Sequence, residues 1–327
     1  MINLPFCLIS RESINWVNEN SIHINFTFLG WLSIAFLFAF LFNNYLNIYL
    51  GLQGGLLTIL IYILFSVGAF YKSYIMKAST LRQSGEEIHR LNLYLVRSLF
   101  FAVLFVGLAD MFIAVLRVEQ ILPIFFNDVN VANLTRPSFV GTFIHFPLII
   151  LGFLVAKYSK TLGFTWLALL IVAAELVIVI SRFVFSYEQA LMGDLVRYWY
   201  AALFLFSSAY TLYDEGHVRV DVVYAGLSER AKGLVNAIGS VILGLSTCIT
   251  IILVGFNGKT AILNKPVLVF EISQAGTVGM FIKYHLAYFL GIFAITMFIQ
   301  FVSYFLVSVA DFKGHPGDRK VNTNASH

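Results

Sequence analysis

The chain has 327 residues, of which 59% are hydrophobic and only 12% charged, with a mean hydropathy of +0.85. A soluble domain carries about a quarter charged residues, so this composition excludes one and implies a polytopic membrane protein. The net charge of +4 is small for the length, and the basic residues do not cluster as a nucleic-acid groove would require. The two cysteines, Cys7 and Cys248, suggest neither a disulfide framework nor a thiolate metal site.

The first residues, Met1 to Asn25, carry Arg11, Glu12 and Glu19 and lack the basic–apolar–small pattern of a cleaved signal peptide. Apolar runs of about 20 residues, the length a bilayer needs, then follow. They fall near 26–46, 52–74, 97–116, 139–156, 164–185, 197–213, 236–255 and 280–308. Runs so long and uniformly apolar must satisfy their own backbone hydrogen bonds in lipid, which predicts an all-α bundle of about eight transmembrane helices rather than a barrel. With the N-terminus inside, most of the 21 Lys and Arg residues, including Lys72, Arg82, Arg97, Lys157, Arg230 and Lys320, face the cytoplasm. Both termini are therefore expected there.

The linker between the second and third spans contains Glu86, Glu87 and His89 and reads as a solvated surface helix. The outer connection from Arg117 to Arg136 reads as a short irregular cap. Three ionisable groups fall within spans: Asp110 in the third, His145 in the fourth and Glu175 in the fifth. Asp110 and His145 lie at similar depth below the outer surface, so they are expected to meet across a hairpin, either pinning two helices or relaying a proton. Glu175 has no partner visible in the sequence. Further on, Tyr198, Trp199 and Tyr200 read as an interfacial aromatic anchor, and the pairs Gly233/Ala237 and Ser240/Gly244 as close-packing surfaces on the seventh span.

The densest polar island of the second half is Gly216-His217-Val218-Arg219-Val220-Asp221, followed by Leu227-Ser228-Glu229-Arg230. In an extended backbone His217, Arg219 and Asp221 share one face; in a helix His217 and Asp221 still meet, four residues apart. Such a segment is either a docking element or a solvated loop whose charges set topology. Before it stand Ser181-Arg182-Phe183-Val184-Phe185, closing one span, and Asp194-Leu195-Val196-Arg197-Tyr198, opening the next. In this order, from about Phe164 onward, the chain resembles the small permease (DctQ-like) subunit of tripartite ATP-independent periplasmic (TRAP) transporters.

The resemblance implies a four-helix inner-membrane subunit that binds no substrate or cofactor itself. Such a subunit cradles a large, sodium-coupled permease that imports an organic acid delivered by a periplasmic solute-binding protein. Arg182, Asp194, Arg197, His217, Arg219 and Asp221 are the partner-interface or structural residues it points to. Two features depart from the family: Asp214 and Glu215 precede Gly216 where a basic residue is common, and residues 1–160 have no counterpart in its short form. The expected organisation is an extension of four spans over 1–160, a DctQ-like domain over 161–312 and a polar cytoplasmic tail over 313–327. Of the six prolines only Pro147 falls inside a span, so the paired broken helices of a substrate-moving domain are missing. The alternatives are a self-sufficient transporter using Asp110, His145 and Glu175 as a proton relay, and a membrane acyltransferase built on His217 and Asp221. The latter needs four residues between its His and Asp, and here three intervene.

Overall fold

The computed structural model describes residues 11–52, 54–75, 80–161, 163–188, 190–214, 224 and 226–315. Among these residues there is no strand; the chain is an all-α membrane bundle. Its helices are α1 (Arg11–Tyr49), α2 (Gly55–Ile75), α3 (Leu81–Val118), the short α4 (Leu122–Phe125) and α5 (Asp128–Leu134), then α6 (Pro137–Tyr158), α7 (Phe164–Phe185) and α8 (Ala190–Tyr213). The last three are α9 (Glu229–Gly255), the short α10 (Asn264–Leu268) and α11 (Lys283–Lys313).

Seven helices among the described residues (α1 from Asn25, α2, α3, α6, α7, α9 and α11) are long and apolar enough to cross a bilayer. The eighth expected span corresponds to α8, a helix of 24 residues. At 1.5 Å per residue it is about 36 Å long, but Asp194, Arg197 and its tyrosines and serines make it more polar than the other seven.

Local signals set the boundaries. Thr80 caps α3 in a reciprocal box: its side chain accepts from the Gln83 backbone, and the Gln83 side chain accepts from the Thr80 backbone. Ser228 caps α9 by accepting from the Ala231 amide. Gly314 ends α11 in the left-handed region at φ 70°, where a side chain would be strained.

Two helices organise the bundle. Half of the apolar window of α3 and 56% of that of α11 are buried inside the protein, against 11% for α2 and for α7. α3 packs on α6, α8 and α11, and α11 packs in turn on α3, α8 and α9. One core cluster joins Val96, Phe100, Val103 and Val106 of α3 to Leu195, Tyr198, Trp199 and Phe206 of α8. A second joins Ile88 of α3 to Phe298, Val302 and Leu306 of α11. Glycines let these helices come together. A Cβ on Gly152 of α6 would lie 2.6 Å from the Ala102 backbone nitrogen of α3, and one on Gly233 of α9 would lie 2.5 Å from the Phe312 nitrogen of α11. The predicted small-residue stripe of the seventh span is thus a contact with α11: Gly244 meets the Phe301 ring in the same way.

Three expectations are corrected. The linker carrying Glu86, Glu87 and His89 is no separate surface helix: it is the first turns of α3, and His89 is 5% exposed. The reason is a polar patch on α11, where Gln300 accepts from Asn92 Nδ2 at 3.2 Å and pairs with His89 Nδ1 at 3.0 Å. Tyr213 stacks on the His89 ring and donates to Glu86. Of the aromatic trio, only Tyr200 is exposed, while Tyr198 and Trp199 are core residues. The connection from Arg117 to Arg136 contains two helices, α4 and α5, in place of an irregular cap.

Candidate functional site

One set of buried polar groups converges on the segment 276–285, which leads into α11. Asp110, in α3, is fully buried, and its Oδ2 accepts a hydrogen bond from the Phe281 backbone N–H at 2.7 Å. Its other oxygen, Oδ1, lies 3.3 Å from His145 Nε2, close to it but outside hydrogen-bond geometry. His145 Nδ1 is 2.7 Å from the Tyr284 hydroxyl. With the proton on Nε2, facing the carboxylate, Nδ1 is left to accept from the tyrosine O–H.

His145 reaches this position through a local irregularity. Gly141–His145 form a π turn, in which the Phe146 amide bonds back to the Gly141 carbonyl, and Pro147 follows. Proline has no amide to give to the preceding turn, and the wider turn absorbs that loss. Gly141 itself must lack a side chain, because a Cβ there would sit 2.4 Å from the Phe270 ring and 2.9 Å from the Tyr284 hydroxyl oxygen.

Two further side chains hold the same segment. Asp194 of α8, 9% exposed, accepts from the Met280 N–H at 3.1 Å, so the two buried acids bind consecutive backbone amides from opposite helices. Arg117, at the end of α3, donates to the carbonyls of Thr277 at 2.7 Å and Gly279 at 2.6 Å, and its guanidinium lies 3.9 Å from the Phe281 ring centroid. Charge-assisted bonds of this kind are roughly twice as strong as neutral ones. Below them His285 packs edge-on to His145 at 5.2 Å between ring centroids, with the Tyr198 hydroxyl 3.4 Å from its Nδ1.

The structure therefore brings together Asp110, His145 and Asp194 among the residues singled out in the sequence. Arg182 stands apart, 60% exposed and 3.7 Å from Glu188 at the end of α7. Arg197 is exposed on α8 beside a cleft of about 540 Å³, with Glu188, Asp194, Ser273 and Lys283 on its walls. Lys283 in that cleft pairs with Glu271 at 2.6 Å. Glu175 is exposed on α7. His217, Arg219 and Asp221 lie outside the described residues. Just past the end of α7, the Tyr187 hydroxyl donates to Glu119, and this bond, ahead of burial and the carboxylate's charge, raises the tyrosine's pKa.

Sequence reasoning missed Arg117, Tyr284 and His285. An arginine at a span's end is ordinary for topology, and Tyr284-His285 looks like the interfacial start of a helix; neither carries a local sign that it faces a buried acid. Among the described residues no three His, Cys, Asp or Glu side chains group as metal ligands. The arrangement has the chemistry of a clasp: two carboxylates and one guanidinium satisfy the amides and carbonyls of an irregular segment within the bundle.

Residues 166–311 match the family described as tripartite ATP-independent periplasmic transporters, DctQ component. This region is a DctQ component. No curated protein and no solved structure matches the chain. The DctQ region spans α7, α8, α9 and α11, while α1, α2, α3 and α6 precede it as extra helices. A DctQ region preceded by extra helices fits an enlarged form of this component, in a multi-pass protein of the bacterial inner membrane. Its extension is no appendage. α3 supplies Asp110 and Arg117 to the clasp around a DctQ segment, and its Val96–Val106 face fills the core between α7, α8 and α11.

Proposed function

We propose that this chain is the small membrane subunit of a TRAP-type secondary transporter. It scaffolds a large permease that couples sodium entry to import of an organic acid, and a periplasmic binding protein delivers the solute. Both termini face the cytoplasm, and residues 1–160 form an extension that braces the DctQ-like domain over 161–312. The observation that carries this reading is how the buried ionisable groups are spent. Asp110 and Asp194 are engaged by the chain's own Phe281 and Met280 amides, and Arg117 by its Thr277 and Gly279 carbonyls. A substrate or ion path needs groups left open to a ligand, on broken helices in matched halves; these groups hold backbone instead. Sodium coupling and solute choice then belong to the large subunit.

The test is reconstitution. The purified chain alone in vesicles should drive no organic-acid uptake under a sodium or proton gradient. The chain with the large permease and its binding protein should do so under a sodium gradient. Uptake by the isolated chain would instead favour a self-sufficient transporter, with Asp110, His145 and Tyr284 as a relay.

A further inference from the structure

Helix α7 is among the least enclosed spans, with 11% of its apolar window buried. It packs on α8 through Phe164, Leu167, Leu170, Ile171 and Ala174. Glu175 comes next and is exposed. It lies midway along Phe164–Phe185, roughly 15 Å from either end at the helical rise, and so at mid-depth of the bilayer. Among the described residues no side chain or amide binds it. The nearest basic group on its side of the helix, Arg182, is two turns further along and turns to Glu188. An ionisable group at this depth is costly in lipid and belongs against protein.

Of the residues at intervals of three, four and seven from it, Ile171 turns inward to the core, while Val172 and Val179 are exposed and Ala168 half-exposed, small or β-branched side chains that let a second helix approach closely. Charge chooses the occupant. A twofold contact between two copies of this chain across the stripe would bring Glu175 toward its own copy, setting like charges together. A helix carrying the opposite sign meets Glu175 without that repulsion and with a charge-assisted bond.

We propose that the α7 stripe Ala168–Val172–Glu175–Val179 is where the large permease subunit docks, through a transmembrane helix that presents a basic side chain to Glu175 at mid-bilayer. This rests on the small-subunit reading and adds the face and the residue that make the contact. Arg182 and Glu188, paired at the end of the same helix, frame the outer limit of the stripe.

The experiment uses the full chain in membranes, expressed alone or together with the large permease subunit, and treated with the lipid-soluble reagent dicyclohexylcarbodiimide, which modifies carboxyl groups reached from the apolar phase. Glu175 modification, read by mass spectrometry of the α7 peptide, should be strong for the chain alone and fall at least roughly tenfold in the complex. Glu175→Gln should lower recovery of the large subunit by about tenfold or more, since it strands the partner's charge. Val179→Cys should cross-link to the large subunit, and Leu234→Cys, exposed on α9, should not. Equal carbodiimide labelling in both preparations, or a Val179→Cys cross-link to a second copy of this chain, would overturn the proposal while leaving the small-subunit reading in place. A wild-type chain that retains no large subunit would remove both.

Discussion

Replacing Asp110 by Asn isolates what the buried carboxylate contributes. The carboxylate accepts from the Phe281 amide at 2.7 Å and sets its second oxygen 3.3 Å from His145 Nε2. Asparagine offers one acceptor oxygen and a donating NH2, so it keeps the Phe281 bond only by turning the NH2 toward His145 Nε2, which forces the imidazole into its other tautomer and reverses its bond with Tyr284. Because Asp110 is 0% exposed, water cannot fill the gap. A hydrogen bond to a charged group contributes about 1.5–3 kcal/mol, and a buried polar group left unsatisfied costs about 1–3 kcal/mol. Asp110→Asn should therefore destabilise the folded protein by about 2–3 kcal/mol. Asp110→Ala, which strands both partners, should cost about 3–5 kcal/mol. Thermal unfolding in detergent is the assay, and the scaling for domains of 150–250 residues places the Asn variant roughly 5 °C or more below wild type.

A double-mutant cycle with His145→Ala adds the test of cause: residues in contact should couple by about 0.5–3 kcal/mol. Unchanged melting of Asp110→Asn, with loss of uptake by the assembled transporter, would refute the clasp and assign the pair to proton transfer.

Two other outcomes follow from the packing and the charge pattern. Gly152→Leu should lower stability by about 1–3 kcal/mol or more by pushing α6 off the Ala102 backbone, whereas Gly193→Leu on α8, which meets nothing within 4 Å, should leave melting within about 0.5 kcal/mol of wild type. In a variant lacking Cys7 and Cys248, single cysteines at Lys160 and Glu229 should react with an impermeant thiol reagent only after the inner face is opened. One at Asn130 should react in intact cells, and the reverse pattern would invert the proposed topology.

The sequence by itself determined that this chain lies in a membrane, that it is helical, and where the apolar stretches of its long helices fall. Apolar runs of bilayer length have no alternative, because lipid offers the backbone no hydrogen bonds. The fifth run, read as 164–185, matches α7 at both ends. The Arg-aromatic, Asp-Arg-aromatic and His-x-Arg-Val-Asp order was likewise legible as DctQ-like, since those polar residues sit at span ends where few are expected.

What only the tertiary structure decided is which apolar or polar faces look inward. In a soluble helix periodicity separates core from solvent; in a bilayer lipid and protein interior are equally apolar, so the pattern marked neither Tyr198 and Trp199 as core nor α3 as the bundle's axis. Partner choice was hidden for a second reason. Asp110 meets the Phe281 amide across 171 positions and Asp194 meets that of Met280 across 86. Those amides belong to backbone that any residue would present. His89 looked solvated for the same cause, because the Gln300 that buries it lies 211 residues away on a helix whose facing side no local pattern reveals.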